Sequence, residues 1–222
     1  FGVKGVAMTD VKDSGVEWIG EIPADWKIEK LKYVSMFYQP CDKTGISVDT
    51  VITYLPMECV KNGSYVKNTK EFGKLSTSLT EFQDGDIIMA KVTPCFENGN
   101  IAILEGIESG YGVGSSELFV YRPTRIVGKF LFYWLRNDYF MDIGRSTMTG
   151  TGGLKRVNPY FARNCEIHYP PEIEQREIAA YLDGKCYELD NIITKKQQLI
   201  TELEAYKKSL IYEYVTGKKE VL

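Results

Sequence analysis

Residues 145–163, RSTMTGTGGLKRVNPYFAR, concentrate more potential chemistry than any other stretch of this 222-residue chain. They carry four cations (Arg145, Lys155, Arg156, Arg163) and no anion, with hydroxyls at Ser146, Thr147, Thr149 and Thr151. Gly150, Gly152 and Gly153 let the main chain approach a phosphate closely, while Lys155 and Arg156 have the reach for phosphates or guanine edges. The wider segment 122–165 holds eight cations against Asp138 and Asp142, inside a chain of net charge −3. A local basic surface on an acidic chain suits focused contact with a polyanion, not indiscriminate coating of nucleic acid. Lys91 and Thr93 form a second candidate surface of the same kind. A flexible polar loop would explain the same composition, and residue chemistry by itself favours neither reading.

Other constellations are weaker. Asn158-Pro159-Tyr160 matches three positions of the Asn/Asp-Pro-Pro-Tyr/Phe tetrad with which adenine amino-methyltransferases grip a flipped base. The second proline is missing, and the Gly150–Gly153 run follows a helical pattern with no acidic residue about 20 positions on, so no cofactor loop is evident. Asp84 and Asp86 fit a tight turn before a buried strand better than acid–base or metal chemistry. The sole histidine, His168, stands beside a proline pair and reads as packed or exposed, not catalytic. Cys41, Cys59, Cys95, Cys165 and Cys186 are scattered without a C-x-x-C pair, which suits reduced thiols in the core of a cytoplasmic protein. Neither a metal nor a cofactor is expected.

The elements that must position these residues fall into two regions. Short apolar or alternating runs predict strands over 48–55, 86–93, 100–106 and 116–123, with turns at Asn62-Gly63, Asp84-Gly85 and Asn98-Gly99. One helix is predicted over about 24–38, carrying Trp26, Leu31 and Val34. A second is predicted over 127–143, where Phe130, Leu131, Trp134, Leu135 and Phe140 recur at helical spacing before Gly144. Residues 1–169 therefore read as one mixed α+β domain whose strand pattern opens near Trp18. Residues 1–7 precede Met8, a natural-looking start, and read as left over from expression. No apolar run reaches the length of a membrane helix, and the N-terminus lacks the apolar core of a secretory signal.

Pro170-Pro171 marks a boundary, and residues 170–222 read as one long helix. Glu172 and Glu174 in its first turn and Gly217 with lysines at its end are start and stop signals. Leu182, Cys186, Leu189, Ile193, Ile200, Leu203, Leu210 and Tyr214 step by fours and threes, interrupted at Lys196 and Lys207. Ile178, Ile192, Leu199 and Tyr206 widen that stripe, and Gly184 is a candidate kink. About 45 helical residues would extend about 67 Å, more than the preceding domain can cover, so a partner helix is expected.

Five stretches, taken together, resemble the specificity subunit of type I restriction-modification systems. DSGVEWIGEIPADWKIEKLKYV (13–34) is similar to the start of its target-recognition domain. GDIIMAKVTP (85–94) and GVGSSELFVYRP (112–123) are similar to its central strands. PPEIEQREIAAYLDGKCYELDNII (170–193) with LEAYKKSLIYEYVTGK (203–218) is similar to its helical spacer. The resemblance implies a non-catalytic subunit that reads double-stranded DNA and docks methyltransferase and restriction subunits, which would bring S-adenosylmethionine and ATP. Such subunits usually carry two units in tandem, whereas each motif occurs once here. The expectation is therefore a half-length form or a piece of a longer subunit, pairing helices antiparallel with a second copy through Leu182, Leu189, Ile193, Ile200, Leu203 and Leu210. Each domain would then read one half of a bipartite target, through Lys91, Thr93, Arg145, Thr149, Thr151, Lys155 and Arg156. A coiled-coil adaptor that binds only proteins, and an adenine methyltransferase, are the competing classes.

Overall fold

A computed structural model of the chain describes residues 10–17, 19–76 and 78–221. The readings of residues 1–7 and of Trp18 lie outside these. The chain divides into two compact units, residues 1–176 and 177–222.

The first unit is a mixed α+β structure built around two four-stranded sheets. One sheet has the order β6–β5–β10–β7, from β5 (Val51–Leu55), β6 (Thr69–Glu71), β7 (Thr80–Gln83) and β10 (Tyr111–Gly114). Only its β5–β10 pair is parallel. The other is antiparallel in the order β4–β11–β8–β9, from β4 (Ser35–Phe37), β8 (Ile87–Ala90), β9 (Ile101–Ile103) and β11 (Leu118–Pro123). β1 (Val11–Asp13) pairs with β2 (Glu21–Pro23), and β3 (Lys27–Lys30) with β14 (Glu166–Tyr169). A core cluster of Leu55, Phe82, Ile88, Leu104, Leu118 and neighbours joins side chains of both larger sheets. Gly112 is required there: a Cβ would stand 2.2 Å from the Phe82 ring and 2.7 Å from the Thr53 carbonyl. All four predicted strands form, and Gly63, Gly85 and Gly99 each turn the chain at positive φ.

Two helix expectations need correction. Over 24–38 only α1 (Leu31–Val34) is helical; the flanks are β3 and β4. The flanks exchange ladder bonds with β14 and β11, and these non-local pairings override a weak helical pattern. Over 127–143 there are two helices, α2 (Gly128–Trp134) and α3 (Asp138–Ser146). Asn137 caps the second, its side-chain oxygen accepting from Phe140 N–H at 2.8 Å. Gly144 does not end α3. It lies buried inside it, where a Cβ would come within 2.4 Å of the Phe96 ring.

Asp86 is fully buried and accepts two bonds from Arg122, from Nε at 2.8 Å and from a terminal nitrogen at 2.9 Å. It also accepts from Gln83 N–H at 2.9 Å, so the acid of the predicted turn is a structural anchor. Arg122, one of the eight cations of the basic segment, is thereby withdrawn from any polyanion. His168 is buried on β14, with Nε2 2.9 Å from the Ser14 carbonyl, which fixes that nitrogen as the protonated one. Gln175 is also buried: its amide accepts from Val127 N–H and donates to the Pro170 carbonyl, both at 2.8 Å.

α5 (Glu172–Val215) is unbroken over 44 residues, about 66 Å, and passes through Gly184 without interruption. It closes as the sequence predicts. Gly217 adopts positive φ, its N–H reaches the Tyr214 carbonyl and Lys218 N–H reaches that of Glu213, a Schellman motif. Leu189, Ile193, Ile200 and Leu203 are exposed; Leu182 and Leu210 are half-buried.

Candidate nucleic-acid interface

The glycine-rich run is not an irregular loop. It is a β-hairpin of β12 (Thr149–Thr151) and β13 (Leu154–Arg156), every residue of which is exposed. Gly152 and Gly153 make its two-residue turn, both at positive φ, the conformation that matches the twist of paired strands. Gly150 faces Lys155, and a Cβ at Gly150 would lie 2.1 Å from the Leu154 carbonyl.

The hairpin is fastened to the segment after β8. Val92 bridges Arg156, Thr93 N–H donates to the Lys155 carbonyl at 2.9 Å, and Val157 N–H donates to that of Lys91 at 2.8 Å. The Thr93 hydroxyl donates to the Gly153 carbonyl at 2.7 Å and accepts from Lys155 N–H at 2.9 Å. Thr93 therefore clamps the hairpin; its hydroxyl is already engaged on both sides.

Register separates the other expected contacts. Thr149 pairs with Arg156 and Thr151 with Leu154, so these four share one face, while Lys155 projects from the other. Lys155 and Arg156, adjacent in sequence, cannot serve one surface of the hairpin. Arg156 makes a bidentate pair with Glu117, at 2.9 Å from Nε and 2.7 Å from a terminal nitrogen. Arg145 stands in a different place. It pairs with Asp142 on α3 and lines a depression with Asn62, Glu97 and Arg136.

Glu117, which sequence reasoning missed, organises the charged face. Its main-chain carbonyl accepts from Lys91 N–H at 3.0 Å. The Arg156 guanidinium holds its carboxyl below the usual carboxylate range, despite partial burial and with help from Lys91. Arg156 is raised in turn by Glu117. Burial pulls the Lys91 amine down, Glu117 pushing it up and Arg156 down by lesser amounts. Lys91 Nζ reaches the Tyr38 hydroxyl at 3.5 Å and lies 5.8 Å from the centres of the Tyr38 and Phe119 rings. Tyr38 is a second residue the sequence did not flag. It sits at φ 53°, and its hydroxyl donates to the Leu118 carbonyl at 2.7 Å. Burial is the main reason its phenol titrates well above the ordinary range. No sequence signal marks either residue, because both roles depend on strands joining distant segments.

The Asn158 side-chain oxygen is already engaged within its own helix. It accepts from Tyr160 N–H at 2.8 Å, capping α4 (Pro159–Asn164) with Pro159 in the first turn. Among the described residues no cluster of His, Cys, Asp and Glu could hold a metal ion, and no helix is long and apolar enough to cross a membrane.

No protein-family model matches the chain. Individual relatives do. The chain is 31% identical over 191 residues to the Type I restriction enzyme EcoEI specificity subunit of Escherichia coli, a match covering 84% of this chain and 31% of the relative. To the EcoAI specificity subunit of the same organism it is 34% identical over 194 residues, covering 84% and 32%. The chain belongs to the type I restriction specificity-subunit family. It spans about a third of those two specificity subunits. The crystal structure of the HsdS subunit from Thermoanaerobacter tengcongensis shares the fold, with a TM-score of 0.62 at 20% identity, covering 85% of this chain and 48% of that one. Membership in this family agrees with the mixed α+β unit followed by one long helix.

Proposed function

We propose that this specificity-subunit chain is a non-catalytic reader of DNA sequence, recognising one half of a bipartite target with residues 1–169 and using residues 170–222 as a spacer helix. The observation that carries the reading is the hairpin 149–156: exposed throughout, clamped to Lys91–Thr93, and bringing Lys91, Lys155 and Arg156 to one small region. Arg156, pre-oriented by Glu117, is shaped for guanine O6 and N7, and Lys155 on the opposite face for a phosphate. Glu117 accepts hydrogen bonds only, which suits the amino group of cytosine. A good bidentate base contact gives about 1–3 kcal/mol of discrimination.

The family supports methyltransferase subunits, restriction subunits and double-stranded DNA as its partners. The exposed stripe of Leu189, Ile193, Ile200 and Leu203, flanked by Leu182 and Leu210, takes an antiparallel second copy of the same helix, which would select inverted-repeat half-sites. The decisive experiment is DNA binding by the chain assembled with its methyltransferase. Lys155→Ala with Arg156→Ala should abolish specific binding while assembly persists. Unchanged binding would instead favour a protein-only adaptor. Sedimentation of the isolated chain should show a dimer that Ile193→Asp with Ile200→Asp dissociates, and a monomer at every concentration would refute the helix pairing.

A further inference from the structure

Beside the hairpin, between α1 and α4, lies an open depression of about 650 Å3. Lys32 and Arg163 line it together with Phe37, Tyr38, Tyr160 and Asn164, and no carboxylate is among its lining residues. The depression beside α3 differs in holding Glu97 and Asp138. Among the described residues neither Lys32 nor Arg163 has an acidic partner; the Lys32 amine lies only over the Tyr33 ring, 5.1 Å from its centre. Tyr160 is 72% exposed, an unusual setting for so large a ring. The depression is also continuous with the candidate interface. Arg156 pairs with Glu117, Lys91 is bonded through its N–H to Glu117, and Lys91 reaches Tyr38, which lines the depression.

We infer that this depression binds the sugar–phosphate backbone of the same DNA duplex just outside the half-site, with Lys32 and Arg163 on phosphates and Tyr160 against a deoxyribose. The inference rests on the DNA-reading proposal and extends its footprint. Two cations without an acidic partner among the described residues, lining a depression with no carboxylate in its lining, are complementary to a polyanion, and an exposed tyrosine ring packs on a sugar whatever the base. This surface supplies affinity and register without reading sequence.

The test uses the chain assembled with its methyltransferase and two duplexes, one carrying the target read from the adenines that this complex methylates and one scrambled. Each phosphate neutralised adds about 0.9 to the slope of log affinity against log salt, so Lys32→Ala with Arg163→Ala should lower the slope by about 1.8. The affinity lost between about 50 and about 200 mM salt should then shrink about tenfold. Both duplexes should weaken by the same factor, the methylated sites should not change, and Arg163→Lys should keep most of the slope. An unchanged slope overturns the inference, and if Lys155→Ala with Arg156→Ala still abolishes specific binding the parent reading stands. Weakening confined to the target duplex overturns it in favour of base reading. Loss of assembly overturns it in favour of a protein-docking surface. Failure of the unsubstituted complex to bind either duplex sinks both.

Discussion

Replacing Thr93 by valine keeps the shape of the side chain and removes only its hydroxyl. In the structure that hydroxyl makes two bonds, one to the Gly153 carbonyl and one from Lys155 N–H. Each is worth about 0.5–1.5 kcal/mol net, and the hairpin residues are exposed, so water takes over part of the loss. The expected cost is about 1–2 kcal/mol, felt as easier opening of the hairpin and not as global unfolding. Two main-chain bonds remain, Thr93 N–H to Lys155 and Val157 N–H to Lys91, so the melting temperature should hardly move. At 1.4 kcal/mol per tenfold, the opened hairpin becomes about 5- to 30-fold more populated. Hydrogen exchange at the Lys155 amide reads this directly, and Thr93→Ser should restore protection. If Thr93 acts as a clamp, the valine variant weakens binding to every DNA sequence alike. Unchanged exchange at Lys155, or a changed set of methylated sites, would refute the clamp and return Thr93 to the role of a direct reader.

Three further outcomes follow from the same geometry. Asp86→Ala strands Arg122 and the Gln83 N–H and should cost about 3–5 kcal/mol in urea unfolding, because a buried ion pair loses one partner. Glu117 titrates below its ordinary range, so its pairing with Arg156 stabilises the hairpin above the unfolded carboxylate pKa and is lost as pH falls through the lower folded value. Hairpin amide shifts should report that acid transition, and Glu117→Gln should remove it. Burial pushes the Cys165 thiol up to about 12 and raises Cys41, so in native protein near pH 8 both should resist iodoacetamide until denaturant is added.

Several features were legible because they are local. The strands over 51–55, 87–90, 101–103 and 118–123 announce themselves as β-branched or apolar runs between turn signals. The long helix is written in its own sequence, from the acidic first turn to the glycine that closes it. The family is legible too, since its motifs are contiguous blocks. The misread helix over 24–38 shows the limit. Nothing within that segment says that Lys27–Lys30 will pair with Glu166–Tyr169, more than 130 positions away.

The candidate site divides along the same line. Composition picked out the hairpin residues and their charge, because residue type alone decides what a group can donate or accept. That the Thr93 hydroxyl is engaged by the hairpin shows only in the fold, through a bond spanning 60 positions. Arg156 does not stand free because Glu117, 39 positions away, holds it, and the period of two in a strand puts Lys155 and Arg156 on opposite faces. Chain chemistry fixes the inventory of groups and the short-range elements, where neighbours in sequence are neighbours in space. Partners across sheets depend on how the chain folds back on itself, and only the tertiary structure decides them.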